Sequence, residues 1–347
     1  MKRNSTEFGI LPAFHGDCLL IKTFDSNNEE FIILIDGGTA QTFKYSLKAE
    51  LKDINHINLL ILTHIDSDHI AGLISLFKSS LIDNIIVNEI WMNHPEIVEI
   101  NSDELISTRQ GDTLKDLILL KKPDVKLLEI STKDESILRQ GVELVILSPT
   151  PQIKDELYRQ WKLSNFPKTD NDNVKISSQK EEYSTSLVDL SKISFSPDKS
   201  INSDIFNSSS IAFILKCLDI SILLLADARP EVITESLRLN CFSETKPLEV
   251  DYVKISHHGS LNNTSQELLG LIKCNNFIIS TNGGTADHKF PSRETIARII
   301  FNSQRNDEDL NIYFNYKIEE LKERIGDFIY DMDFNEGNWN AINRNWF

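Results

Sequence analysis

The sequence contains no long apolar run. Its strongest apolar stretches, such as Ile220 to Ala226, extend about seven residues, against the roughly 20 that a bilayer-crossing helix requires. Membrane insertion is therefore not expected. Cysteine is scarce too: Cys18, Cys217, Cys241 and Cys274 stand singly, with no Cys-x-x-Cys pair. That excludes a zinc ribbon or a dense disulfide framework and fits a reducing, cytoplasmic setting. The start, MKRNSTEFGILPAFHGD, lacks an apolar region behind its two basic residues, so no secretory leader is expected. Basic residues are in deficit, with 36 Lys and Arg against 52 Asp and Glu and a formal net charge of −16. Such a surface does not attract nucleic acid or anionic lipid broadly, and part of its negative charge is available to bound cations.

What is present is enough for a large core: 347 residues, 40% of them apolar. We expect one elaborated domain over residues 1–347. Short β-branched runs predict strands at Cys18 to Lys22 and at Phe31 to Ile35, the latter stopping at Asp36-Gly37-Gly38. Ile57 to Leu62 is a largely apolar run too short for a helix, as in a strand buried on both faces. It runs into Thr63-His64, and Ile70, Leu73, Ile74 and Phe77 then follow at helical spacing. Further strands are expected at Ile85 to Trp91, Glu143 to Leu147, Ile211 to Lys216, Ile220 to Ala226, Val250 to Ile255 and Phe277 to Ser280. Helices are expected from near Ser292 and over Tyr316 to Tyr330. Residues 151–204 are rich in Lys, Asp, Asn, Ser and Gln and read as a polar insertion or lid. Residues 303–347 read as a C-terminal extension whose Trp339 and Trp346 pack back on the body. Two sheets packed together and covered by helices account for this pattern.

The segment Thr63-His64-Ile65-Asp66-Ser67-Asp68-His69 places four ligand-type side chains within six residues, on a loop between a buried strand and a helix. Carboxylates held this close repel unless a cation or several donors compensate. Imidazole with carboxylate suits zinc, manganese or ferrous iron, the oxygen-rich balance favouring manganese.

HxDxDH at a strand end, after an earlier strand ending in Asp36-Gly37-Gly38, resembles the metallo-β-lactamase superfamily. Asp66 in place of the usual middle histidine resembles the variant found in ComEC-type (competence-protein-like) proteins and related phosphodiesterases. Further motifs agree with that branch: Phe14-His15-Gly16-Asp17-Cys18, Asn207 to Ser210, Ala226-Asp227, Lys254-Ile255-Ser256-His257-His258-Gly259-Ser260 and Asp287-His288-Lys289-Phe290-Pro291. The resemblance implies a four-layer αββα sandwich, of class α/β (α+β), with two divalent metal ions, zinc or manganese. His64 and Asp66 would hold one ion, Asp68 and His69 the other, and Asp227 would bridge them. His257 and His288 are the expected further ligands and His258 the proton donor or substrate contact, with Asp68 and His258 as the catalytic pair. Asp36 would fix the loop by hydrogen bonds. The superfamily's histidine between the first cluster and the bridging aspartate is missing, and Asn207 to Ser210 stand there instead, which points to weaker binding of one metal.

The activity implied is hydrolysis of a phosphodiester, DNA among the candidates, by a hydroxide shared between the metals. Small-ester or lactone hydrolysis is the second reading. A regulatory subunit of a larger protein complex, such as an anti-phage defence assembly, is the third. Lys289 and Arg293 are candidate phosphate contacts, His94 is expected as a surface or capping residue, and Cys18 as a buried small residue rather than a nucleophile.

Overall fold

The computed structural model describes residues 5–97, 109–164, 185–284, 289–306 and 308–347. The expected His288 ligand lies outside the described residues. The first sheet runs β1-β2-β3-β4-β5-β6, from Glu7–Ile10, Leu19–Phe24, Glu30–Ile35, His56–Ile61, Ile86–Trp91 and Lys126–Leu128. The second sheet uses β7 (Ser136–Arg139), β8 (Val142–Ser148), β9 (Ala212–Lys216) and β10 (Ser221–Leu224), then β12 (Tyr252–Lys254), β14 (Asn276–Ile279), β15 (Leu310–Phe314) and β16 (Trp339–Asn343). Its spatial order is β16-β15-β14-β12-β10-β9-β8-β7, while β11 (Leu248–Glu249) and β13 (Ile272–Lys273) form a small separate pair.

Side-chain alternation accounts for the layering. In the first sheet Leu19, Ile21, Ile33, Ile35, Leu59 and Ile61 join one buried cluster with Leu144, Phe213, Leu215, Ile222 and Ile278 of the second sheet. Their neighbours Leu20, Leu34 and Leu60 face the opposite way, onto Ile70, Leu73 and Phe77 of the helix Ser67–Lys78. Leu223, Val253, Phe277 and Ile279 likewise face the helices Pro230–Leu239 and Arg293–Asn302. A period-two strand can serve two apolar faces only if both are covered, and here each sheet has the other sheet on one side and helices on the other. This is the expected αββα sandwich.

β3 to β6 are parallel, as are β10, β12, β14, β15 and β16. Their carboxyl ends carry Asp36, Thr63, Asp227, Ser256 and Ser280, the edge where loops of such sheets gather chemistry. Among the described residues, no helix is long and apolar enough to cross a membrane.

One expected helix is shorter than its residues suggested, and two segments carry elements that the sequence reading did not place. The polar stretch after Pro151 opens with a helix, Pro151–Ser164, whose Ile153, Leu157 and Trp161 bury themselves against Ile205 and Val232. Its apolar residues are sparse but fall on one face, which average composition conceals. The predicted helix over Tyr316 to Tyr330 is only Ile318–Ile325, because Gly326 (φ 89°) takes the left-handed conformation that stops it. Residues 303–347 also contribute β15 and β16 to the main sheet, and Trp346 covers Gly9, where even a Cβ would lie 2.8 Å from its ring.

Candidate metal centre

Asp36 organises the first loop. Its Oδ1 accepts from the Thr63 amide at 2.8 Å, while its Oδ2 accepts from the Thr63 hydroxyl at 2.7 Å and from His69 Nδ1 at 2.8 Å. The helix carrying His69 reaches the Asp36 turn because two glycines meet: Gly72 donates to the Gly38 carbonyl at 2.9 Å, and a Cβ on Gly72 would lie 1.8 Å from the Gly37 oxygen. The loop before β2 closes in the same way, since a Cβ on Gly16 would stand 1.8 Å from the Asp68 carbonyl oxygen.

Each buried imidazole is tied by Nδ1, so its Nε2 points inward. His64 Nδ1 lies 3.1 Å from the Thr63 hydroxyl, and His258 Nδ1 donates to the Ser280 carbonyl at 2.9 Å. These contacts fix the Nδ1–H tautomer and leave three bare Nε2 atoms, the arrangement a metal-ligating histidine adopts. Around them, Asp227 Oδ2 is 3.5 Å from His69 Nε2, 3.7 Å from His64 Nε2 and 3.9 Å from His258 Nε2. Asp68 Oδ2 is 3.4 Å from His258 Nε2, and Asp66 Oδ2 is 3.9 Å from His64 Nε2.

The Nε2 atoms of His64, His69 and His258 and the Oδ1 of Asp227 are buried without a hydrogen-bond partner. Four polar atoms stranded together cost several kcal/mol unless something else engages them. Divalent cations fit that gap. Two ligand groups converge, His64 with His69 and Asp227, and Asp68 with His69 and His258.

The electrostatics agree. Burial pushes His64 down to about 4, and the neighbouring His69 adds to the effect. Burial also raises the Asp66 carboxyl to about 6, helped by Asp68 and Asp227. For His69 and His258 burial is outweighed by Asp227, joined by Asp36 and Asp17 respectively, and both imidazoles are raised. Burial works the other way on Asp227, but His257, His69 and His258 hold it ionised. Protons compete for the His69 and His258 imidazoles at the positions a cation would take. Metal uptake must displace them, so affinity for zinc or manganese is expected to fall as pH drops, with proton release measurable by calorimetry in buffers of different ionisation enthalpy.

The local backbone is strained. Asp36, Ala226, His257 and His258 all take left-handed φ values of 55°, 46°, 46° and 55°. Non-glycine residues accept that cost where surrounding structure fixes them, commonly at functional sites.

Residues 11–151 match the sequence model described as the metallo-beta-lactamase superfamily, a span containing Asp36 and the whole His64 to His69 loop. No curated protein matches the chain. Among solved structures, the metallo-beta-lactamase fold protein YhfI from Bacillus subtilis is 8% identical, covering 99% of this chain and 100% of its own, with a TM-score of 0.43. Zn(2+)-bound PqqB from Methylobacterium extorquens is 10% identical over 94% of this chain and 85% of its own, TM-score 0.39. A diphosphatase from the PhnP family is 11% identical over 87% and 95%, TM-score 0.39. These are distant likenesses of shape, and the side chains above carry the chemistry.

The structure gathers His64, Asp66, Asp68, His69, Asp227, His257 and His258 in one place. His257 lies at the mouth, its side chain 24% exposed, with Nε2 3.8 Å from Asp227 Oδ2. It belongs to neither ligand group. Arg293, expected as a phosphate contact, is buried and forks onto Asp333 at 2.7 and 3.1 Å, so it is unavailable to substrate. His94, expected at the surface, is fully buried: its Nε2 meets Asp112 Oδ1 at 2.6 Å and Trp161 packs on its ring. Cys18 is buried as expected, and burial raises its thiol well above the usual range.

Three contributors were given no role in the sequence reading. Asp17 and Lys254 form a fully buried ion pair beneath His258. Asn263 accepts from His257 Nδ1 at 3.1 Å and donates to the Asp227 carbonyl at 3.1 Å, clamping two loops together. The lysine stands in a quoted motif, but nothing local to Asn263 distinguishes it.

Removing Asp36 tests how far the hydrogen-bonded surround governs the site. Asp36→Ala is expected to weaken zinc or manganese binding by about 10- to 100-fold, measured by competition with a chromophoric chelator.

Proposed function

We propose that this protein is a metal-dependent hydrolase acting on phosphodiesters, of the ComEC-type branch, with two divalent ions held between its sheets. The observation that carries this reading is the set of stranded, inward-facing atoms on His64, His69, His258 and Asp227. His64 and Asp66 would hold one ion, Asp68, His69 and His258 the other, and Asp227, with two oxygens, would bridge. This exchanges the two neighbouring histidines relative to the sequence expectation: His258, buried with its Nδ1 tied to a carbonyl, suits a ligand. His257, half-buried at the mouth with its Nδ1 tied to Asn263, suits proton transfer to a leaving oxygen. Divalent ions at such a centre lower the pKa of a water and stabilise charge on the attacked group. Asp66, Asp68 and Asp227 supply three negative charges against the four positive charges of two such ions, a balance that favours an anionic substrate.

The test is to incubate the purified protein, with manganese or zinc, with linear DNA, RNA, bis-p-nitrophenyl phosphate and p-nitrophenyl acetate. Metal-dependent cleavage of the phosphodiesters, abolished by chelator, is the expected result. Ester turnover with no phosphodiester cleaved would replace this reading by the small-ester one.

A further inference from the structure

A phosphodiester approaching this centre meets a chain with 36 basic residues against 52 acidic ones, so cations placed at the mouth weigh more than the average surface. Arg293 is not one of them. The turn Ala13 to Gly16 closes directly over the Asp68 backbone, where Gly16 packs on the Asp68 carbonyl and the Asp17 amide donates to it at 3.2 Å. Phe14 takes a left-handed φ of 62° there, and the Gly16 amide closes the turn on the Ala13 carbonyl at 3.1 Å. Two distant segments hold this turn. From one, the Ser46 hydroxyl donates to the Pro12 carbonyl at 2.7 Å. From the other, the Tyr316 hydroxyl accepts from the Phe14 amide at 2.8 Å, and Asn315 Nδ2 donates to the Leu11 carbonyl at 3.1 Å.

Each segment brings a cation to the rim. Lys44 and Tyr45 are exposed, with the Lys44 ammonium 4.8 Å from the Tyr45 ring centroid and Tyr45 edge-on to Phe14 at 6.3 Å. Arg324 is exposed in the last turn of the helix Ile318–Ile325, its stem laid over Gly283, where a Cβ would lie 3.3 Å from the Arg324 Cβ. Gly283 lies shortly beyond Ser280, whose carbonyl holds His258. Burial lowers the half-buried His15 imidazole, and Asp68, His258, Arg324 and His69 all act on it, so this ring is within reach of both the ligands and the guanidinium.

Resting on the phosphodiester reading above, we propose that this rim is a strand-holding wall: Arg324 and Lys44 take phosphates next to the scissile one, and Tyr45, 64% exposed, stacks on a base of a single-stranded nucleic acid. His15 hydrogen-bonds the strand beside Asp68. An exposed ring accepts any base, since every base has a π-face, while cations along a rim follow the backbone. A duplex keeps its bases stacked on one another and offers Tyr45 none.

Anisotropy of a fluorescein-labelled oligothymidylate with phosphorothioate linkages, titrated with the manganese-loaded full-length protein, tests the wall apart from turnover. Arg324→Gln is expected to weaken binding by about fivefold or more and to lessen the slope of log Kd against log salt by about 0.7, the share of one phosphate contact on a single strand. Tyr45→Ala should weaken binding by about tenfold at an unchanged salt slope, and Tyr45→Phe, which keeps the ring, should restore it. In kinetics, Arg324→Gln should raise KM for the unmodified oligomer by about fivefold more than for bis-p-nitrophenyl phosphate, which carries no second phosphate. Wild-type affinity in Arg324→Gln or in Tyr45→Ala, or tighter binding of duplex than of single strand, overturns the wall and leaves phosphodiester hydrolysis standing. So does a wild type that cleaves bis-p-nitrophenyl phosphate but does not bind the oligomer. Failure of the wild type to cleave either substrate overturns both.

Discussion

Replacing His257 by alanine is expected to leave both metal ions bound and to lower kcat on bis-p-nitrophenyl phosphate by about 10²- to 10⁴-fold, the usual contribution of a positioned proton donor. The separation of binding from turnover follows from where the ring sits. Its Nε2 is 3.8 Å from Asp227 but outside both clusters that could hold an ion among the described residues, and of the described site histidines its side chain alone keeps solvent access. His258→Ala is the control, because a change one residue away should cost metal as well as rate. Metal content by mass spectrometry, set beside kcat, separates the cases: loss of metal in His257→Ala would return that residue to the ligand set. His257→Gln, which retains hydrogen bonding without a transferable proton, should be as slow as alanine.

The second large effect concerns stability. Lys254 and Asp17 are both about 1% exposed and contact each other directly, at the start of the two loops that close the site. Lys254→Met leaves the Asp17 carboxylate buried without its counter-ion, which costs about 3–5 kcal/mol in comparable cases. Because Asp17 Oδ1 also lies 3.6 Å from His258 Nδ1, the damage should reach the metal-binding ring. Combining Asp17→Asn with Lys254→Met removes both charges and should recover most of the loss. Urea denaturation of the three proteins measures this, and a Lys254→Met variant within about 1 kcal/mol of wild type would show that the pair is not structurally required.

Much of the sandwich is legible in the sequence because its strands are unusually pure. Ile57 to Leu62 and Phe31 to Ile35 carry apolar side chains on both faces, and only a strand covered on both sides has a use for them. The same holds for the His64 to His69 loop, whose ligand-type residues are consecutive and whose neighbours set the strand-to-helix turn. What escapes a sequence reading depends on contacts between distant segments. β1 is four residues long and acquires its place from β2 and from Phe347, whose backbone exchanges hydrogen bonds with Phe8 at 3.1 and 2.9 Å. The helix Pro151–Ser164 lies in a polar stretch, and its three apolar side chains acquire meaning only against Ile205 and Val232. Arg293 was misread for the same reason, because Asp333, 40 positions later, claims its guanidinium. Within the site, the cluster of ligand-type residues on the first loop was readable. The choice between His257 and His258 was not, since it turns on whether Nδ1 finds the Ser280 carbonyl or Asn263.

The central claim is that side chains from both sheets converge on a pair of divalent ions. Anomalous scattering from crystals soaked in manganese or zinc tests it directly. The account predicts two peaks roughly 3.5 to 4 Å apart, beside Asp227 and between His64 and His258. A map with no peak there, and with the imidazoles turned away from Asp227, would contradict it.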